Sequence, residues 1–323
     1  MAGGRRAGHW APLGLLIVIA GLPFAVHSRY YQSIAVIIGF HTIVAVGLSL
    51  LMGYAGQVSL GHAAFYGLGA YASAIASTRL GLDPWVAMPL AAVLTGGLAA
   101  AIGTPIFRLR GHFLAMATLG WGIIVSIVFN ELREVTGGPS GLTGIPNLAL
   151  FGLPLDTDAR YYYLVWAVCL GILFLSQNIV RSRTGRALRA IHASEEAALS
   201  VGVDVAHYKV KVFALSAVYA SIAGSLYAHY VTFVSPQPFG FMFSVKLVVM
   251  AVVGGLASIW GAIFGAAGIT LLGESLHELG QLDVVVFGLI LMVVVITLPQ
   301  GLTRGILDLV DWAAARLKLE GRK

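Results

Sequence analysis

The side chains in this sequence that could do chemistry are few, and none of them assembles into a reaction centre. Glu274-x-x-His277 has the spacing of a carboxylate-bridged metal motif, but only one copy is present, whereas such sites need two copies and further glutamates from facing helices. It is read as a polar cap on a helix end. Of nine histidines, His41, His62 and His229 fall inside apolar runs, on different segments and without ligand spacing, which fits satisfied core or cavity imidazoles. Cys169 is the one cysteine and sits in an apolar run, so no internal disulfide can form and redox chemistry is not expected. There is no GxxxxGK[ST] and no glycine-lysine pair, hence no Walker-type nucleotide site. No nucleophile has a base beside it. The chain is not expected to be an enzyme or to bind a metal or cofactor of its own.

Two stretches concentrate what polarity remains. Met52 to Tyr71 reads MGYAGQVSLGHAAFYGLGAY, with Gln57, Ser59 and His62 set among Gly53, Gly56, Gly61, Gly67 and Gly69. Polar groups and glycines at membrane depth need protein or water around them. A broken helix lining a solute path meets that need; so does close helix packing with each polar group satisfied by a neighbouring carbonyl, and both stay open. The second stretch, Arg181 to Ser216, is a polar run that holds six of the twenty Lys and Arg residues. Within it Thr184 is expected to cap a helix over Gly185 to Ala193. Ser194 is expected to cap a second one with Glu195 and Glu196 in its first turn, where carboxylates favour the dipole. Gly202 stands where that helix must stop in a left-handed residue. A helix from Glu195 to Val201 is about 10 Å long and marginal in isolation, so it must pack on something.

The elements that position these stretches are membrane spans. With 58% hydrophobic and 11% charged residues and a mean hydropathy of +0.88, the composition lies outside that of soluble domains. The apolar runs do not alternate as barrel strands do, and roughly 20 residues suffice to cross the bilayer as a helix. The fold expected is all-α and polytopic, one domain over residues 1–323, with about ten spans near 11–27, 34–52, 57–78, 85–107, 112–131, 161–180, 210–232, 244–256, 258–273 and 283–299. The first is read as a retained helix, because no small-x-small cleavage site follows it. Ten crossings put fifteen Lys and Arg on one side and Arg29, Arg79, Arg133 and Arg160 on the other. By the positive-inside rule both termini and the loop 181–211 are cytoplasmic. The net charge of +6 thus belongs to sidedness and not to nucleic acid. The segment 244–273 could instead be broken and partly re-entrant, and its Gly261 and Gly265 would allow close helix approach. Lys246, near its outer end, is read as snorkelling. The glycine- and proline-rich loop Thr136 to Pro146 is expected to be irregular and external.

These residues also carry a resemblance. MGYAGQVSLGHAAFYGLGAY is similar to the GxxGQxSLGHAAFxGxGAY signature of the branched-chain amino-acid permeases of ABC importers, LivM type. TGGPSGLTGIP at 136–146 resembles the same family. So do GGLASIWGAIFGAAG at 254–268, with Ala257 where the family usually has glycine, and Glu195, Ala197, Ala198 and Gly202 followed by Tyr208-Lys209-Val210-Lys211. The resemblance implies a type II importer-like permease that works by alternating access. Its cytoplasmic coupling helices would carry Arg183, Gly185, Arg186, Arg189, Glu195, Ala197, Ala198 and Gly202. Its translocation path would involve Gly53, Gln57, Ser59, Gly61 and His62. It further implies two ATPase subunits that use ATP and Mg, a homologous second permease, an external solute-binding protein and a bacterial plasma-membrane location. Branched-chain or related neutral amino acids are the implied substrates, with urea or short amides as the alternative within the family. An ordinary solvated loop at 181–211 and a self-sufficient carrier or channel are the readings outside it. The lack of any Asp or Glu clearly inside a span weighs against an ion-coupled carrier.

Overall fold

The computed structural model describes residues 28–277, apart from 110 and 151–152, together with the isolated positions 19, 21, 23, 286, 288, 289 and 292. The spans expected at 11–27 and 283–299, and both termini, fall outside the continuously described residues. Between them the chain is a bundle of helices. α1, Arg29–Leu48, continues through six residues of wider π winding, Ser49–Tyr54. α2 is His62–Arg79, α3 Pro84–Ile106 and α4 His112–Glu131, followed by the single turn α5, Arg133–Thr136. α6 is Asp158–Arg181, the short α7 and α8 are Arg183–Ala193 and Glu195–Ser200, and α9 is Val205–Val231. A hairpin of α10, Phe241–Gly254, and α11, Gly261–His277, completes the described fold.

Five of these helices, 29–54, 84–106, 112–131, 158–181 and 205–231, are long and apolar enough to cross a bilayer. α2 matches the expected third span but begins at His62, not 57. Residues 55–61 leave helical geometry after Gly56 takes a left-handed φ of 69°. α10 and α11 are shorter, 14 and 17 residues, and they run as a hairpin whose turn lies against the end of α1. Their close approach is glycine-dependent: a Cβ on Gly254 would meet the Gly261 carbonyl, and one on Gly265 the Met250 carbonyl. Small residues at helix crossings supply packing that hydrophobicity cannot supply in lipid.

α1 and α9 form the centre of the bundle. Their buried residues include Phe40, Ile43, Val44, Phe213, Ala217 and Ala220, and aromatic residues of α6 close the gap: Tyr161 donates to the Leu226 carbonyl and Trp166 to the Ala35 carbonyl. α2 lies against α9 backbone to backbone; a Cβ on Gly224 would overlap the Tyr66 carbonyl, and the Ser225 hydroxyl donates to the Gly69 carbonyl at 3.0 Å. By contrast α4 leaves Phe113, Met116, Ile123, Ile124 and Ile127 exposed, an apolar face suited to lipid or to another membrane subunit.

The glycine-rich loop is less irregular than expected. Gly138–Ser140 form a 3-10 turn, and β1, Leu142–Thr143, pairs antiparallel with β4, Phe233–Val234, while β2, Ala149–Leu150, pairs with β3, Leu153–Pro154. Left-handed glycines at 137, 138, 141 and 144 make the successive turns, and the two-residue ladders satisfy backbone groups between them. The Glu274 carboxylate accepts from the Tyr30 hydroxyl at 2.5 Å, so it ties the end of α11 to the start of α1, in keeping with a polar cap at a span end.

Candidate functional site

The break between α1 and α2 is where elements from across the chain converge. A helix that stops inside apolar surroundings exposes amide and carbonyl groups, and each must find a partner or cost several kcal/mol. Here side chains from other helices supply them. The Leu60 amide donates to the Thr118 hydroxyl of α4 at 3.1 Å, and the Ala63 amide, one of the orphan donors at the start of α2, donates to the Ser244 hydroxyl of α10 at 3.1 Å. The Gln57 amide closes back on the Leu51 carbonyl at 3.0 Å. Gly53 and Gly61 are required by proximity: a Cβ would run into the Leu256 carbonyl at the first and the Thr118 carbonyl at the second. The Tyr54 hydroxyl donates to the Ala257 carbonyl at 2.7 Å, which clasps the end of α1 to the α10–α11 turn.

Ser59 and His62 are both buried and joined in one chain of hydrogen bonds: the Ser59 hydroxyl to His62 Nδ1 at 2.8 Å, and His62 Nε2 to the Ser216 hydroxyl of α9 at 2.6 Å. Each imidazole nitrogen therefore has a partner in this conformation. Gln57 points elsewhere. Its side-chain amide donates to the Ala55 carbonyl at 2.8 Å and to Glu195 Oε1 at 3.4 Å, which links the break directly to α8.

The short helices are built as follows. Ser182, not Thr184, caps α7: its hydroxyl accepts from the Thr184 amide at 3.1 Å and donates to the Ile179 carbonyl at 2.7 Å. Because that one side chain both ends α6 and starts α7, the second helix begins at Arg183. Gly185 packs so tightly on Val180 that a Cβ would overlap its carbonyl, and Arg189 Nη1 donates to the same carbonyl at 3.2 Å. A guanidinium on the last turn of a helix also complements its dipole. Ser194 caps α8 as expected, accepting from the Ala197 amide at 3.2 Å, and Gly202 ends it at φ 82°. α8 packs through Ala198 on Ile191 and Val205, which supplies the support that so short a helix needs. Arg183, Arg186, Ala197 and Gly202 are exposed, with Leu199 and Val201 beside them. The loop thus presents a mixed basic and apolar surface.

One buried charge at this junction escaped the sequence reading. Lys209, taken there as part of a basic run, is buried on α9 and donates to Glu195. The signal was available: 205, 209, 212, 213 and 216 fall on one face of a 3.6-residue helix and are all buried. Charge inside such a stripe requires a partner, and Glu195 is the acid in reach. His192, also on α7, lies over Gly56, whose Cβ would come within 3.0 Å of its Nδ1. Among the described residues no group of three or more His, Cys, Asp or Glu is placed to hold a metal ion.

A polytopic bundle with a break in a central helix, and with that break tied to two short helices outside the spans, is an architecture suited to a membrane transport protein. The comparisons are specific. Residues 30–295 match the family model described as "Branched-chain amino acid transport system / permease component", and the chain belongs to that family. It is 32% identical over 328 residues to the high-affinity branched-chain amino acid transport system permease protein LivM of Escherichia coli, covering 94% of this chain and 77% of that protein. It is 26% identical over 284 residues to LivH of the same organism, covering 81% and 90%. Among solved structures, PsaBC from Streptococcus pneumoniae in complex with Fab aligns with a TM-score of 0.46 at 16% identity, over 87% of this chain and 95% of that one. The chain is therefore a membrane-embedded permease subunit of an ABC importer, and that family works with ATPase and binding-protein partners.

Proposed function

We propose that this chain moves branched-chain or related neutral amino acids across the bacterial plasma membrane by alternating access. The whole of 1–323 would act as one permease domain with both termini cytoplasmic. Its partners would be a homologous second permease, two ATPase subunits and an external solute-binding protein. ATP and Mg are used by the ATPases; this chain binds no cofactor and no nucleic acid. In the mechanism, closure of the ATPases presses on the surface formed by Arg183, Arg186, Ala197, Leu199 and Gly202. Arg189 and Gly185 transmit that push to the end of α6. Glu195 transmits it to Lys209 of α9 and, through Gln57, to the break that carries Gly53, Ser59, Gly61 and His62. Motion there shifts α2 against α9 and changes which side of the membrane the path faces.

The observation that carries this reading is the junction of Gln57, Glu195 and Lys209, which joins a short helix outside the spans, a span and the helix break at one carboxylate. Purification of the chain from its own membranes in mild detergent, with mass spectrometry of what is retained, tests it. Recovery of a P-loop ATPase and a second permease is expected. Recovery of the chain alone, under conditions that preserve another multisubunit transporter, would overturn the assignment.

A further inference from the structure

The bonds that secure the helix break engage one side of it and leave the other open. Residues 56–61 lie outside helical geometry, and their exposure alternates. Gln57, Ser59 and Gly61 are buried, whereas Gly56 is exposed, Val58 is 44% exposed and Leu60 is half-buried. The polar side chains are all on the closed side, Gln57 turned to Glu195 and Ser59 to His62. The open side shows Gly56, Val58 and Leu60. Among the described residues, the Val58 amide and the Gly56 and Val58 carbonyls have no hydrogen-bond partner. One end of this strip adjoins α7, where His192 lies over Gly56. The other end lies deeper among the spans. Gly61 rests on Thr118, six residues beyond the start of α4, and His62 bonds Ser216, eleven residues beyond the start of α9. At 1.5 Å per residue those depths are about 9 and 16 Å from the helix ends.

We propose that this open side is a wall of the translocation path at its end beside α7 and α8, with Val58 as the contact for the apolar side chain of the solute. This rests on the amino-acid importer reading and deepens it: the wall is formed not by the Gln57, Ser59 and His62 side chains but by the residues between them. Non-helical backbone at membrane depth is tolerated only where protein covers it or water lies against it, because a peptide group left unpaired in hydrocarbon is costly. Exposed and unpaired, the peptide groups at 56 and 58 suit a water-filled path and not a lipid contact. Their dipoles can meet the polar end of a passing solute, and the Val58 methyls its apolar side chain, with no fixed charge to hold it. Such a surface releases what it touches, as a path requires. The strip also begins at the Gln57–Glu195 contact, so the movement of α8 that the importer reading requires would shift this wall.

The test uses the complete importer in lipid nanodiscs. Cys169, the one cysteine of the chain, is buried, so Val58→Cys gives this subunit a single accessible thiol. Val93→Cys, at a position of α3 that is 71% exposed, is the comparison on the outside of the bundle. Each is treated with a charged thiosulfonate, which enters water but not hydrocarbon and attacks the thiolate, and the rate is read by mass spectrometry of this subunit. Apolar surroundings disfavour thiolate about tenfold or more, so Val58→Cys should react at least about tenfold faster than Val93→Cys. L-leucine should slow the Val58→Cys reaction, and glycine, which has no apolar side chain, should do so far less. Once modified and reconstituted into proteoliposomes, the Val58→Cys importer should lose leucine uptake relative to equally treated wild type and regain it when dithiothreitol removes the adduct. Leu60→Cys reports on the same strip if Val58→Cys assembles poorly. A thiol no faster than that of Val93→Cys, the result if lipid or another subunit covers the strip, would overturn the wall. So would uptake that the adduct leaves unchanged, no protection by leucine, or equal protection by glycine. ATP-driven, binding-protein-dependent leucine uptake by the wild-type importer is measured in parallel. Uptake beside an unreactive Val58→Cys thiol overturns the wall alone, whereas an assembled wild-type importer that moves no amino acid overturns the underlying reading as well.

Discussion

Replacing Glu195 by glutamine keeps the size of the side chain and removes only its charge. It leaves the Lys209 ammonium, on a side chain 2% exposed, facing a neutral amide. Loss of one partner from a buried pair costs about 3–5 kcal/mol, because the remaining charge is uncompensated. The Glu195 side chain is 24% exposed, so water reaches the pair from the α8 side, and the cost should fall to about 2–3 kcal/mol. At 1.4 kcal/mol per decade that lowers the ratio of docked to undocked α8 by roughly 30- to 150-fold. In proteoliposomes that contain the whole importer, Glu195→Gln should therefore reduce solute taken up per ATP hydrolysed while leaving assembly intact. The double variant Glu195→Gln, Lys209→Met removes the stranded charge and should recover most of the lost stability, read as melting in detergent, since the two residues are coupled and their effects are not additive; it should not recover the coupling, because the tie itself is gone. Wild-type coupling in Glu195→Gln or in the double variant would refute the proposed role of the pair.

Three further outcomes are expected. Gly202→Val should impair uptake without preventing insertion: its Cβ would meet nothing within 4 Å, so the penalty is the left-handed backbone alone, about 1–2 kcal/mol, and Gly202→Asn should be milder; equal uptake by wild type and both variants counts against it. Gly53→Ala, which drives a methyl into the Leu256 carbonyl, should lower thermal stability in detergent by the equivalent of about 1–3 kcal/mol, whereas Gly120→Ala, with open space around it, should not; similar melting of the two refutes the packing assignment. His62→Leu strands the Ser59 and Ser216 hydroxyls at about 1–3 kcal/mol each, and additional Ser59→Ala and Ser216→Ala changes should restore part of that loss in the same melting assay.

What was legible in the sequence was whatever a single segment decides for itself. The apolar runs at 85–107, 112–131 and 161–180 became α3, α4 and α6 nearly end for end, and Ser194 and Gly202 bracket α8 because a cap and a left-handed stop act within one turn. Where two local candidates competed, the sequence could not weigh them: Ser182 and Thr184 both carry hydroxyls, and Ser182 prevails because it also bonds the Ile179 carbonyl at the end of α6. The start of α2 at His62 was illegible for a different reason. Residues 57–61 lie outside helical geometry with Leu60 bonded to Thr118, 58 residues away, and Ser244 bonded to the first turn of α2 beyond them, 181 residues away, and no periodicity in 57–78 reports such partners. The residues assigned to the path divide likewise. Their polarity showed that they need partners, but that Gln57 turns to Glu195 while Ser59 and His62 turn to Ser216 depends on where α8 and α9 pass.

That division bears on how the break could work as a hinge. A continuous α-helix cannot bend sharply without losing backbone hydrogen bonds, and in lipid those bonds have no water to replace them. Here part of the replacement has already been made: the hydroxyls of Thr118 and Ser244, on two different helices, accept from the Leu60 and Ala63 amides, and the Ser216 hydroxyl of a third helix holds the His62 side chain. Each such bond contributes only about 0.5–1.5 kcal/mol net, and a hydroxyl can rotate to a new partner as its helix slides. The ion pair to Glu195 is the stronger tie, and it lies at the end of the break nearest the short helices. On the proposed mechanism a push on α8 would therefore be transmitted firmly to α9 and to Gln57, while the weaker bonds further in exchange. The helix break would yield there, and α2 would move without any backbone group being left exposed to lipid.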